Sequence, residues 1–226
     1  MRFSLIILVF ISISLFSCSD GKIQSGEIEY EITYPYNKLS KIMKMMLPKK
    51  MTVVIKGNKM ITTIKKGNIF TTNIVSNGTL KELEMRLKMG SDIYNAHLKT
   101  KDINELIASQ PHYDFSQAES NDSLIGCLCV HYDVDCKNDT LPAFESVFTS
   151  DFAIQNATWF SSYKTIDGMP LEYLIDRYGL IMQVRVTSFT MRDVEDSEFE
   201  PKFDYKEVSY KKYDKKVQDL FDVMLD

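Results

Sequence analysis

Four cysteines and three histidines are the side chains of this 226-residue chain best suited to covalent or metal chemistry. Cys127, Cys129, His131 and Asp133 recur at every second position, so on an extended strand all four fall on one side. Zinc gathers such ligands around a tetrahedron, usually from two elements, and four ligands in line on a single strand do not converge on one ion. No metal site and no cofactor is therefore expected. A redox pair of the Cys-x-x-Cys kind is absent, because a single residue separates Cys127 from Cys129. A disulfide between those two would be strained, since neighbours on one strand face stand near the upper limit of separation for that bond. The better bridge joins Cys136 to one of them. Alternation puts Cys136 on the opposite face, so that bridge needs a bulge or turn near Asp135.

His97 and His112, with Asp92, Asp102 and Asp114 nearby in sequence, could in principle assemble a general base with its orienting carboxylate. Scattered surface histidines are the commoner outcome. The carboxylates Glu195, Asp196, Glu198 and Glu200, which run up to Pro201, read as a solvated loop. No nucleophile elbow, phosphate loop, His-Glu-x-x-His or glycine fingerprint occurs, and the chain is not expected to be an enzyme. With 27 basic against 31 acidic side chains and a formal charge of −4, it lacks the basic excess of a nucleic-acid binder.

A different kind of chemistry is suggested by Ile42, Met43, Met45, Met46 and Met51. Flexible, polarizable methionine surfaces adapt to irregular apolar ligands. The same residues could equally fill gaps in a packed core. Trp159, with Phe152, Phe160 and Tyr163 near it, could line the mouth of a cavity or close the end of a sheet.

The N-terminus carries an address. After Arg2, residues 3–16 are an apolar stretch interrupted only by serine. As a helix it would reach roughly 21 Å, short of the ~30 Å hydrocarbon core, and its length suits a secretion signal. Leu15-Phe16-Ser17-Cys18 resembles the bacterial lipobox, which implies cleavage after Ser17 and diacylation of Cys18. Residues 1–17 are thus expected to be a signal peptide, 18–25 a lipidated cysteine and tether, and 26–226 a single domain. The acyl chains would hold that domain to a membrane without a spanning helix. No nucleic-acid partner is expected, and no protein partner can be named.

The elements that must position these residues are mostly strands. Residues 27–34 alternate strictly, with Ile28, Tyr30, Ile32 and Tyr34 on one face. Residues 51–64 form a hairpin about Lys56-Gly57-Asn58-Lys59, and a second turn at Gly67-Asn68 leads into 69–75. Period two also governs 81–89, despite its helix-forming composition. Further strands are expected at 123–135, 144–154, 169–176 and 180–189, with a last one near 203–210. Helices are expected at 37–47, at 100–109 capped by Thr100, and at 212–225. About ten strands arriving in long runs, with three helices, point to an α+β, mainly β fold in which one antiparallel sheet curls to hide its apolar face.

The order of landmarks, from Gly26-Glu27-Ile28-Glu29-Tyr30-Glu31-Ile32-Thr33-Tyr34 through Leu47-Pro48-Lys49-Lys50-Met51 and Ile125-Gly126-Cys127-Leu128-Cys129 to Ile166-Asp167-Gly168-Met169-Pro170-Leu171, resembles an uncharacterised family of Gram-negative lipoproteins. Its members are similar in layout to the LolA and LppX lipoprotein-handling proteins. The resemblance implies an incomplete antiparallel barrel with two or three helices on its concave side. It further implies room there for a lipid or acyl chain, a place in the outer membrane of the cell envelope, and Cys129 as the partner of Cys136. No catalytic residue travels with it. In such a fold Ile42, Met43, Met45, Met46, Met51 and Trp159 would line the concavity. The rival expectation is an adaptor lipoprotein with a packed core that binds another envelope protein through exposed aromatics such as Tyr205, Tyr210 and Tyr213.

Overall fold

The structure is a computed structural model and describes residues 21–119, 122–137 and 141–225. Cys18 and the signal stretch lie outside the described residues. No helix among the described residues is long and apolar enough to cross a membrane.

The alternating stretch forms β1 (Ser25–Thr33), with Ile28, Tyr30 and Ile32 buried and Glu29 and Glu31 exposed. A short helix α1 (Lys41–Met46) follows, opened by Ser40, whose hydroxyl accepts the Met43 N–H at 3.2 Å. It is shorter than the 37–47 pattern suggests and buries none of its residues. A meander then runs through β2 (Lys50–Lys56), β3 (Lys59–Lys66), β4 (Phe70–Asn77), β5 (Glu82–Met89) and β6 (Asp92–Leu98). Gly57 and Gly90 take the first central position of two-residue turns at φ +57° and +56°, the place where a type II′ hairpin turn calls for glycine.

Helix α2 (Thr100–Ala108) is capped at Lys99, one residue before the expected Thr100, and the Asp102 carboxylate accepts the Lys99 backbone N–H at 3.0 Å. It buries Ile103 and Leu106. Next come β7 (Tyr113–Ala118), the two-residue strands β8 (Ser123–Leu124) and β9 (Cys127–Leu128), and the long β10 (Val130–Cys136) and β11 (Phe144–Thr149). The single strand expected at 123–135 is broken because Ile125 and Gly126 turn at φ +52° and +85°. The chain closes with β12 (Met169–Arg177), β13 (Leu180–Met191), β14 (Lys206–Glu207) and α3 (Tyr210–Leu225).

The strands form one curved, unclosed sheet. Its order is β14-β6-β5-β4-β3-β2-β1-β13-β12-β11-β10-β7, with β8 and β9 paired apart from it. Every pairing in the large sheet is antiparallel except β14 with β6. The N-terminal meander and the C-terminal strands meet where β1 pairs with β13. One face of the sheet packs against α2, α3 and the segment 157–163, which add Ile103, Leu106, Trp159, Tyr163, Tyr213 and Phe221 to a core supplied mainly by the strands. On the other face Val194 and Phe199 sit on Ile61 and Val75 as a small apolar cap. Helices on one side of a large curved sheet match the expected architecture.

The β12–β13 turn fixes α3. Tyr178 holds a positive φ of +54°, unusual for a bulky residue. Its ring stacks on Phe221 at 5.5 Å, and its hydroxyl donates to Asp214 at 2.7 Å. Arg177 reaches the same carboxylate oxygen at 2.6 Å, so one acidic residue of α3 gathers both members of the turn.

The expected Cys129–Cys136 bridge is corrected: no disulfide joins these cysteines. The bend that it needs does not occur, because β10 pairs with β7 in unbroken register as far as Cys136. Seven residues of strand at ~3.3 Å each set the two apart by roughly 23 Å. Cys129 packs in the core around β1, whereas Cys136 packs beside Tyr113 and Tyr163.

Candidate functional site: an apolar cavity between sheet and helices

The concave face of the sheet is not filled completely. A cavity of about 200 Å³, partly open to solvent, lies between the strands and their cover. Its floor follows from period-two alternation. Tyr30 of β1, Met51 and Val53 of β2, Thr62 of β3, Thr72 of β4 and Met182 of β13 all turn the same way. Its roof is made by Leu106 at the end of α2, by Phe160 and Tyr163 of the intervening segment, and by Tyr213, Val217 and Phe221 of α3. Threonine and methionine stand where larger or stiffer side chains would close the space. An apolar cavity of ~150 Å³ already suffices to hold benzene.

Polar groups are few and placed at the wall. Burial pushes the Asp176 carboxyl up from its ordinary value. A folded-state pKa above the unfolded value of about 3.9 means that the charge costs stability at neutral pH, and that the cost disappears below about pH 4. Asp176→Asn is accordingly expected to raise the melting temperature at pH 7 and to leave it unchanged at pH 3.5; equal gains at both would show a solvated carboxylate. Tyr113 also lines the cavity, and its buried hydroxyl has no hydrogen-bond partner among the described residues.

Of the residues expected to line the concavity, Met51 does so. Trp159 is buried in the core beside the cavity, and its neighbours Thr158 and Phe160, rather than the indole, form the wall. Ile42, Met43, Met45 and Met46 do not reach it. Helix α1 is too short to cross the concavity and lies on its rim, leaving Ile42 68% and Met45 57% exposed. The double change Ile42→Ser/Met45→Ser should therefore shift stability by less than about 0.5 kcal/mol and leave ligand uptake intact; loss of uptake would return α1 to the site. The α3 wall, which the sequence analysis did not assign to the cavity, carries its signal in the spacing of Tyr213, Val217, Leu220 and Phe221 along one helix face.

The candidates for a catalytic base are not brought together. His97 on β6 is 65% exposed at its side chain and stands 3.1 Å from Asn95. Asp114 is on β7, at the far end of the sheet from β6, and pairs with Lys137 at 2.9 Å. Asp102 is engaged at the start of α2. Glu198 binds Arg192 through both oxygens, at 2.8 and 2.7 Å, and Glu27 joins the same guanidinium at 2.9 Å. On the convex face a polar depression of about 860 Å³ includes Arg86, but its charge is met by Glu84 at 2.7 and 2.9 Å.

Cys127 and Cys129 are buried thiols whose pKa values are raised, chiefly by burial, with Asp151 and Asp122 respectively adding to the shift. Both shifts favour the protonated thiol over the nucleophilic thiolate. No protein-family model, curated protein or solved structure matches this chain.

Proposed function

We propose that this protein is a membrane-anchored envelope lipoprotein of a Gram-negative bacterium that binds a hydrophobic ligand, a lipid or acyl chain, in the concavity of its sheet. The observation that carries this reading is the cavity of about 200 Å³ walled by Met51, Val53, Met182, Leu106 and Phe221. Burying a methylene there is worth about 0.8 kcal/mol, so affinity rises with the number of carbons that the pocket admits. Anchoring rests on Cys18 and its lipobox. The resemblance of its sequence landmarks to LolA- and LppX-like lipoproteins suggests the ligand class by analogy alone. The unpartnered Tyr113 hydroxyl suits a ligand with one polar end.

Native mass spectrometry of the domain lacking Cys18, purified gently from its own host, with lipid extraction of the same sample, tests the proposal. A co-purifying apolar molecule at about one per chain is the expected result. A bare mass, together with no uptake of a fluorescent fatty acid, would overturn it. The adaptor reading loses part of its basis, because Tyr210 and Tyr213 are buried between α3 and the sheet. What favours it instead is the exposed apolar side of α1.

A further inference from the structure

The hairpin β8–β9 does what a single strand could not. Its turn at Ile125 and Gly126 brings the chain back so that Ser123 pairs with Leu128, and one residue further out the Cys129 N–H donates to the Asp122 carbonyl at 3.1 Å. Asp122 and Cys129 thus form a cross-strand pair, while His131 follows Cys129 by two residues and shares its face. The Asp122 carboxylate, the Cys129 thiol and the His131 imidazole come to within 4.8 Å of one another. Asp122 is 2.9 Å from His131 Nε2, and Glu145 of β11 holds the opposite ring nitrogen, Nδ1, at 3.1 Å. Cys127 and Asp133, which share the strand face in the linear pattern, are not part of the group.

We infer that Asp122, Cys129 and His131 form a binding site for one divalent zinc-type cation, with Glu145 orienting the histidine. Three features support the assignment. The ligands come from the two residues that flank the β8–β9 hairpin and from β10 rather than from one line, which is the convergence that a tetrahedral ion requires. A thiolate, an imidazole and a carboxylate are the mixed donors that suit Zn²⁺ rather than Ca²⁺ or Mg²⁺. The carboxylate on the second ring nitrogen is the usual outer partner of a metal-bound histidine, and it fixes which nitrogen faces the ion. On binding, the Cys129 S–H bond is replaced by a sulfur–metal bond and the proton leaves to solvent. The thiolate and the Asp122 carboxylate then balance the ion's two charges. Bound there, the ion would clasp the β8–β9 hairpin onto β10.

The test is titration of the full chain with Zn²⁺ against a competing chromophoric chelator, with Co²⁺ as the spectroscopic substitute. One Zn²⁺ per chain is expected, and the Co²⁺ form should show the near-ultraviolet absorption of a thiolate–cobalt bond. Cys129→Ser should abolish that absorption, and Cys136→Ser should leave it. Glu145→Gln alters a side chain that is 55% exposed, so it should not disturb folding, and it should weaken Zn²⁺ binding by about 10- to 100-fold. Absence of stoichiometric uptake at micromolar Zn²⁺ would overturn the assignment, leaving His131 as an ion-paired histidine only. Cys129→Ser with unchanged absorption, or Glu145→Gln with unchanged affinity, would overturn it as well.

Discussion

Thr62→Trp and Thr72→Trp should each abolish uptake of a fluorescent fatty acid while leaving the protein folded. Both threonines sit on neighbouring strands, are partly exposed, and project into the cavity. An indole there occupies space that is already present instead of crowding a packed core, and a strand accepts tryptophan well. The ligand loses the room for several carbons. Four methylenes at about 0.8 kcal/mol each amount to about 3 kcal/mol, or roughly a 100-fold loss of affinity. Thermal unfolding followed beside the binding titration separates the two effects. Full uptake by both variants would place the ligand somewhere other than this cavity.

The largest loss of stability is expected from Gly168→Ala. Gly168 precedes β12 at φ +98°, and a Cβ there would lie 2.3 Å from the Thr149 carbonyl oxygen and 3.0 Å from its carbon. Both contacts are to backbone at the end of β11, where Met169 pairs with Thr149, so neither can swing aside. Strain in φ and the steric overlap together should cost about 3 to 4 kcal/mol, lowering the melting temperature by about 10 °C in a chain of this size. Gly57→Ala is the control: its φ is +57° with open space around it, and it should cost only about 1 kcal/mol. Equal losses at the two positions would mean that the close approach to Thr149 relaxes freely.

The strands with the plainest alternation were readable from sequence. The pattern at 27–34 becomes β1, the Gly57-Asn58 turn separates β2 from β3, and period two at 81–89 prevails over helix propensity in β5. β6 carries the alternation Tyr94, Ala96 and Leu98, but over only seven residues with small Ala96 at its centre, which leaves a faint period-two signal. β7 gives a weak signal because only Tyr113 and Phe115 alternate before Gln117 breaks the apolar face. Both contribute to the final count of twelve strands in the sheet.

The cavity was legible only in part. Met51 was reachable because it continues a strand face, whereas the methionines of α1 were misplaced because the length of a helix and its docking depend on what covers the sheet elsewhere. The Asp122, Cys129 and His131 group was hidden for a related reason. Spacing along one strand tells which side chains share a face, but a turn with Ile125 at φ +52° is needed to bring in a ligand from the neighbouring strand, and isoleucine gives little sign of such a turn.

The pairing of β1 with β13 has a consequence for biosynthesis. Ile28 and Tyr30 face strand partners Phe189 and Val186 that are made roughly 150 residues later. At ribosomal rates of about 5 to 20 residues per second, that interval is on the order of ten seconds. During it one edge of β1 is an open row of backbone donors and acceptors beside a buried-type apolar face, the kind of edge that recruits other chains. The central seam therefore closes late, before only β14 and α3 are added, and that edge of β1 needs shielding until β13 has been made.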